Sequence, residues 1–239
     1  MGIKTRLVEY EEGGCVMQGL LTWDTDFNEP RPAVLVAHTI AGRSDFEELR
    51  AWQLAELGYV GFAADVYGKG TRTTDIDQNR SMMQALLGDR PRLQRRMLAA
   101  LTALRAQDEV DESAVAAIGF CFGGLGVLDI ARTGEELAGV VSFHGLLSAP
   151  GNTADNSVAA KVLVLHGWDD PLATPDQVVE LAAELTALGA DWQLHGYGNT
   201  SHAFTNPAAN EPESGKSFSE DADRRSWAAM EDFLAELFA

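Results

Sequence analysis

The chain has 239 residues and a formal net charge of −18, and 46% of its residues are hydrophobic. This length suits one large α/β domain, and the hydrophobic fraction is sufficient for a buried core. The negative charge argues against nucleic acid or an anionic membrane surface as a partner, because like charges repel. The sequence contains no run of about 18 apolar residues, so we expect no membrane span.

The only two cysteines, Cys15 and Cys121, form no CxxC pair and are too few for a disulfide framework. The N-terminal residues lack the apolar segment of a signal peptide, so we expect a cytoplasmic protein. No group of His, Cys, Asp and Glu has the spacing of metal ligands, so we expect neither a metal nor another cofactor. A monomer and a homodimer are both compatible with the sequence.

The first elements in the chain are two strands, Ile3–Tyr10 and Cys15–Trp23, which flank two glycines and predict an antiparallel hairpin. Beyond them, short apolar runs predict strands over Ala33–His38, Tyr59–Ala64, Val115–Phe120, Gly139–His144, Lys161–His166 and Asp191–Tyr197. Amphipathic stretches predict helices over Phe46–Leu57, Asp89–Gln107, Phe122–Arg132, Pro175–Leu188 and Ser217–Leu237. This alternation predicts an α/β fold with a mainly parallel twisted sheet and helices on both faces. Because no linker divides the chain, we expect one domain over residues 1–239.

The most informative motif is Gly119-Phe120-Cys121-Phe122-Gly123, which follows a predicted strand and precedes a predicted helix. It matches the G-x-S-x-G nucleophile elbow with cysteine in place of serine. Glycines are needed there because the strand turns sharply into the helix and side chains would collide with the turn. The helix N-terminus favours a Cys121 thiolate, and the N–H of Phe122 would face a developing oxyanion. The alternative is a buried structural cysteine.

A nucleophile of this kind needs a base and an acid downstream. Three of the later histidines lie in predicted strands or at their ends, namely His144, His166 and His195. His202 instead lies in a loop beyond the last predicted strand, which suits a base that must reach the nucleophile. Two carboxylates, Asp169 and Asp170, follow the strand that ends at residue 166. Asp170 is favoured because this acid usually lies three residues after the glycine that ends the strand, but Asp169 remains an alternative.

These motifs resemble the dienelactone hydrolase family, also called carboxymethylenebutenolidases, over nearly the whole chain. The matching segments are Val34–Gly42, Ala64–Gly68, the cysteine elbow, Gly167–Pro171 and Ser201–Pro207. The resemblance implies an α/β-hydrolase fold and a catalytic triad of Cys121, His202 and Asp170. It also implies an oxyanion hole formed by the backbone N–H groups of Ile40 and Phe122. The implied activity is that of an esterase or lactonase that works through a covalent cysteinyl intermediate.

Three positions depart from family members that cleave dienelactones. Those members carry a glutamate where this chain has Thr39. They also bind the substrate carboxylate with two arginines, at the places of Lys69 and Asn206 here. Lysine does not provide the planar fork of arginine, and asparagine carries no charge. We therefore expect a neutral ester or lactone as the substrate rather than an anionic dienelactone.

Further residues are candidates for substrate contact, and other activities remain open. His38 and Thr39 flank the predicted oxyanion loop, and Tyr67 and Phe204 are aromatic residues that either line the pocket or belong to the core. A thiolate in a pocket with little positive charge could also attack the phosphorus of a neutral phosphotriester. The remaining alternatives are a thiol acyltransferase and a catalytically idle ligand-binding member of the fold.

Overall fold

The computed structural model describes residues 2–27, 29–153 and 156–239. Two units divide the chain, Met1–Ala117 and Ile118–Ala239. The strands are β1 Ile3–Glu12, β2 Cys15–Asp24, β3 Arg31–Ala37, β4 Val60–Ala63, β5 Val110–Phe120, β6 Gly139–Phe143, β7 Lys161–Gly167, β8 Trp192–Tyr197, β9 Asn210–Glu211 and β10 Lys216–Ser217. The helices are α1 Asp45–Glu56, α2 Ile76–Leu87, α3 Arg90–Arg105, α4 Phe122–Arg132, α5 Pro175–Ala187 and α6 Glu220–Leu237, with a short 3-10 turn at Pro212–Ser214.

In the first unit, strands β1 and β2 form an antiparallel pair in which Ile3 faces Asp24 and Glu12 faces Cys15. The connecting glycines have φ angles of 58° and 77°, which most side-chain-bearing residues avoid. The strand order is β1-β2-β4-β3, and β4 runs antiparallel to β2 but parallel to β3. Strand β4 is buried along its whole length, and helix α1 packs on it. Strand β5 passes through the division between the units.

In the second unit, strands β6, β7 and β8 are parallel neighbours in this order. Strand β6 is fully buried and β7 nearly so, as expected for parallel strands that are covered on both faces. Helix α4 packs on β6, and α6 packs on both β6 and β7. The carboxyl ends of parallel strands meet at one edge of a sheet, so the loops that begin at residues 144, 168 and 198 emerge on the same side.

The predicted mainly parallel sheet with helices on both faces and an N-terminal antiparallel pair is confirmed. Helix α2 was not predicted, because only Asn79 and Leu86 of its residues are buried and the apolar periodicity is weak. Its start is nevertheless marked by Asp75, whose side chain accepts the N–H groups of Asp77 and Gln78. The short β9–β10 pair was also missed. No helix in the described parts of the chain is long and apolar enough to span a membrane.

Candidate active site

Cys121 lies at the sharp turn between β5 and α4, with φ 55° and ψ −113°. A positive φ is rare for a residue with a side chain, and it is maintained here by the surrounding backbone. The N–H of Cys121 donates to the carbonyl oxygen of Phe143 at 3.0 Å. A Cβ atom at Gly119 would lie 2.1 Å from the carbonyl oxygen of Gly123, so only glycine fits there. The local geometry is that of a nucleophile elbow.

Cys121 is also the residue that precedes the first turn of α4, but its side chain makes no capping hydrogen bond. The thiol is therefore not used to satisfy the helix N-terminus. Its carbonyl oxygen accepts the N–H groups of Leu125 at 3.3 Å and Leu146 at 3.4 Å. The partial positive charge of a helix N-terminus favours an anion at this place. The side chain is partly exposed, as a nucleophile must be.

His202 and Asp170 form a buried pair in which Nδ1 of His202 lies 2.7 Å from Oδ2 of Asp170. Each residue is only 1% exposed. The other carboxylate oxygen of Asp170 accepts the N–H of Leu172 at 2.8 Å, so both oxygens are engaged. Asp169 is exposed, and its backbone N–H donates to the carbonyl oxygen of Thr200. Of the two candidate acids, the structure therefore brings Asp170 to the histidine.

Two loops of the second unit hold this pair together. A Cβ atom at Gly167 would lie 2.6 Å from the carbonyl oxygens of Thr200 and Ser201, so the close approach of the loops requires glycine. The N–H of Trp168 donates to the carbonyl oxygen of Tyr197 at 2.9 Å. On the other side, the backbone of His202 is held by strand β10 and the residue before it, because its N–H donates to the carbonyl oxygen of Gly215 and its carbonyl oxygen accepts the N–H of Ser217. The pair is thus fixed by backbone contacts.

The charge of His202 depends on Cys121. Burial lowers the pKa of His202, but the negative charge of Cys121 and the hydrogen bond to Asp170 raise it more, to about 10. The Nε2 side of the ring is buried as well. Both the negative charge of Cys121 and a hydrogen bond between the two side chains raise the pKa of His202, and the charge has the larger effect. The arrangement favours a thiolate beside an imidazolium.

Two histidines that the sequence places at strand ends lie beside this pair. The ring of His144 lies 5.2 Å from the ring of His202, measured between centroids, and is also buried. His166 is fully buried, and in the described part of the chain neither of its ring nitrogens has a hydrogen-bond partner. Burial lowers the pKa of His166 despite the opposing charge of Asp170, so this ring is neutral. The sequence signal for both was a histidine directly before glycine at the end of a strand.

In the first unit, the loop Thr39–Ser44 is organised by Glu47, a fully buried carboxylate that the sequence analysis overlooked. Its oxygens accept the N–H of Thr39 at 3.0 Å, the N–H of Ser44 at 2.9 Å and the hydroxyl of Ser44 at 2.6 Å. The signal for it was the spacing Ser44-x-x-Glu47, a capping box at the start of α1. Ile40 is half-buried within this loop.

His38 and Tyr67 support the same loop from the other side. Nδ1 of His38 donates to the carbonyl oxygen of Thr39 at 2.6 Å, and Nε2 accepts the N–H of Val66 at 3.2 Å. These partners assign the neutral tautomer with its proton on Nδ1. The hydroxyl of Tyr67 donates to the carbonyl oxygen of Ile40 at 3.1 Å, and its ring contacts His38. Both side chains thus form hydrogen bonds that hold the loop at residues 39–44 in place.

The remaining candidates for substrate contact have different surroundings. Lys69 forms an exposed ion pair with Glu9 at 2.6 Å. Asn206 is half-buried and accepts the N–H of Ala208. Phe204 is fully buried against the rings of His144 and Tyr197, so it belongs to the interior. Within the described residues, no group of three or more His, Cys, Asp and Glu side chains is placed to hold a metal ion.

A cysteine at the elbow of an α/β sheet, with a buried histidine and aspartate on the following loops, defines a member of the α/β-hydrolases. The model of the dienelactone hydrolase family matches residues 17–238, and the chain belongs to this family. It is 35% identical to the uncharacterized protein K02A2.1 of Caenorhabditis elegans over 154 residues, which are 62% of this chain and 96% of that protein.

Two solved structures are similar to the chain over its whole length. One is the dienelactone hydrolase-like promiscuous phosphotriesterase P91 from metagenomic libraries, with 39% sequence identity and a TM-score of 0.94. The other is m3DLH, with 37% identity and a TM-score of 0.93. In both cases the similarity covers 100% of each chain. These comparisons confirm the family resemblance and identify the chain as a hydrolase of ester bonds.

Proposed function

We propose that this dienelactone hydrolase-like protein hydrolyses neutral carboxylic esters or lactones, with Cys121 as nucleophile, His202 as acid and base, and Asp170 as the group that orients His202. The observation that carries the proposal is the buried His202–Asp170 pair, whose Nδ1–Oδ2 distance is 2.7 Å. Because Asp170 fixes the proton on Nδ1, Nε2 is the nitrogen available for proton transfer. The influence of Cys121 on the pKa of His202 supports the sulfur as its partner.

In the first half of the reaction, the thiolate of Cys121 attacks the carbonyl carbon of the ester and forms a C–S bond. The tetrahedral intermediate then collapses, the bond to the leaving oxygen breaks, and Nε2 of His202 donates its proton to that oxygen. The alcohol departs, and a thioester to Cys121 remains. As the resemblance implies, we assign the backbone N–H group of Phe122 as a donor to the oxyanion.

In the second half, water hydrolyses the thioester. Acylation removes the negative charge of Cys121, which is the main cause that raises the pKa of His202, so burial then favours the neutral ring. Neutral Nε2 can accept a proton from water as the water oxygen attacks the thioester carbon. The C–S bond breaks, the thiolate is regenerated, and the carboxylic acid is released. The same histidine thus serves as acid and then as base.

The charges of the described side chains favour a neutral substrate. Lys69, at the place of one substrate-binding arginine of the family, is paired with Glu9 at 2.6 Å. Asn206, at the place of the other, carries no charge, and its side-chain oxygen accepts a backbone N–H. Neither residue offers the unpaired cation that a substrate carboxylate would need.

A neutral phosphotriester is the second candidate substrate, and the similarity to P91 favours it. In that reaction the Cys121 thiolate would form an S–P bond, and the aryloxide would leave with the proton of His202. Water would then have to cleave the S–P bond of a thiophosphoryl enzyme. We expect this second step to make phosphotriester hydrolysis slower than ester hydrolysis.

A hydrolysis panel tests the proposal. It contains a neutral arylester, a lactone, an anionic dienelactone and a phosphotriester, each assayed with the wild type and with the Cys121→Ala and Cys121→Ser variants. We expect the highest kcat/KM for the neutral ester or lactone and none for Cys121→Ala. Unchanged turnover in Cys121→Ala would rule out the cysteine as nucleophile. No turnover of any substrate, together with a Cys121 that is inert to iodoacetamide at neutral pH, would instead favour an idle ligand-binding protein.

A further inference from the structure

His144 follows strand β6 and combines two unfavourable features. Its backbone has a φ angle of 36°, although it is not glycine. Such a conformation is strained and persists only where the surroundings fix it. The side chain is also only 1% exposed, so a titratable ring is removed from water. Glycine or asparagine would adopt this backbone with less strain, so the ring itself needs an explanation.

The ring of His144 is surrounded by the loop that carries His202. The ring of His202 lies 5.2 Å away at an interplanar angle of 69°, and the ring of Phe204 lies 5.1 Å away at 80°. The hydroxyl oxygen of Thr205 lies 2.8 Å from Nε2 of His144. In the loop segment 202–205, three of the four residues therefore contact the side chain of His144.

A histidine that must direct one nitrogen at a nucleophile needs more than one restraint. The hydrogen bond from Nδ1 of His202 to Asp170 fixes one end of the ring. The torsion between Cβ and the ring is broad for histidine, however, so a single hydrogen bond leaves the ring plane loosely defined. A second ring packed across the first supplies the missing restraint and sets the direction of Nε2.

We propose that His144 is a positioning residue for the hydrolysis proposed above: its ring, packed across the ring of His202, holds His202 in the orientation that directs Nε2 at Cys121. His144 itself exchanges no proton and touches no substrate in this role. The inference rests on the proposed function, because it needs His202 as the base. Cys121 and Asp170 raise the pKa of His202, and the charge of His202 lowers the pKa of His166.

The test compares two substitutions. His144→Phe keeps a ring beside His202 and removes the hydrogen bond to Thr205, whereas His144→Asn suits the backbone but is too short to reach His202. A misplaced catalytic group commonly costs about 10- to 100-fold, so we expect kcat for a neutral arylester to fall by about that factor in His144→Asn with KM changed less than about twofold. We expect His144→Phe to retain kcat within about threefold. His195→Asn, on the exposed part of β8, is the control and should behave as wild type.

Stability and spectroscopy separate this role from a purely structural one. His144→Asn relieves backbone strain, so its Tm should equal or exceed that of His144→Phe while its kcat is lower. The proton NMR signal of Nδ1–H in the His202–Asp170 hydrogen bond should be sharp in wild type and His144→Phe but broadened in His144→Asn. Three results would each overturn the inference. They are a folded His144→Asn protein with wild-type kcat, an equal loss of kcat in His144→Asn and His144→Phe, and an Nδ1–H signal that is unchanged in His144→Asn. Turnover that survives Cys121→Ala would refute the proposed function, and the NMR comparison would still decide the role of His144.

Discussion

The electrostatic coupling between Cys121 and His202 determines when the histidine carries a proton. Burial lowers the pKa of His202, while the negative sulfur and the hydrogen bond to Asp170 raise it to about 10. In the proposed mechanism the ring is therefore protonated at neutral pH in the free protein and donates its proton to the leaving group. The thiolate and the imidazolium each favour the charged form of the other.

This coupling predicts the effect of Cys121→Ser on the histidine. Serine at this position carries no charge near neutral pH, so the main cause that raises the pKa of His202 is removed and burial lowers it. The pKa of His202 should fall below that of the wild type, and the ring should become neutral at a lower pH. NMR titration of the His202 ring signals measures this shift directly. A titration curve identical to that of the wild type would show that the sulfur does not control the charge.

Asp170 and its neighbour Asp169 form a matched pair for a second experiment. Asp170 is buried and accepts from His202, whereas Asp169 is exposed. In Asp170→Asn the side chain can no longer stabilise the imidazolium and favours the wrong tautomer, so kcat should fall by about 10²- to 10⁴-fold. Asp169→Asn should change kcat by less than about twofold, because exposed charges act weakly. Equal effects of the two substitutions on kcat of a neutral ester would contradict the assignment of the acid.

At the scale of elements, helix α4 both begins at the proposed nucleophile and ends in a buried ion cluster. Arg132, which is 1% exposed, donates to Glu184 of α5 at 2.9 Å and 2.7 Å and to the carbonyl oxygen of Leu147 at 3.1 Å. It also lies 3.4 Å from the buried carboxylate of Asp129. This cluster ties α4 to α5 and to the loop after β6. The C-terminal end of α4 is thus held by ionic and hydrogen-bond contacts.

Arg132→Met should destabilise the protein strongly. Methionine fills a similar volume but leaves Asp129 as a buried charge without its cation, which costs about 3–5 kcal/mol in the free energy of unfolding. The matched control is Arg224→Met in α6, whose ion pair with Asp221 is exposed and screened by solvent, so its loss should change the stability little. Urea denaturation of both variants gives the comparison. Similar midpoints for the two variants would show that the buried cluster does not stabilise α4.

At the scale of the whole molecule, the net charge of −18 sets the field that a substrate meets. An anionic ester is repelled, and salt screens the repulsion over about 10 Å at 0.1 M ionic strength. The kcat/KM for an anionic ester should therefore rise with added NaCl, while that of a neutral ester of the same size should stay nearly constant. A kcat/KM for the anionic ester that falls with salt would indicate a local cationic site that the described side chains do not suggest.

Much of this architecture was predictable from periodicity. The parallel strands are nearly continuous apolar runs, and a steric contact of 2.1 Å requires glycine at position 119 of the elbow, so both leave a clear signal in the sequence. Helix α2 could not be recognised, because so little of it is buried. Glu47 was overlooked although its capping-box spacing with Ser44 is local and could have been recognised. The contacts of His144 could not be predicted, because folding brings its ring close to residues far along the chain, such as Thr205, whose hydroxyl is 61 positions away.

The most direct test of the central claim is to trap the acyl enzyme. The wild type is mixed with a neutral arylester that deacylates slowly, quenched in acid, and measured by intact-protein mass spectrometry with peptide mapping. In the wild type we predict one acyl group on the peptide that contains Cys121. In His202→Ala this acyl group should accumulate at a much lower rate, and in Cys121→Ala it should be absent. Sustained hydrolysis by Cys121→Ala, or an acyl group on another residue during turnover, would contradict the account.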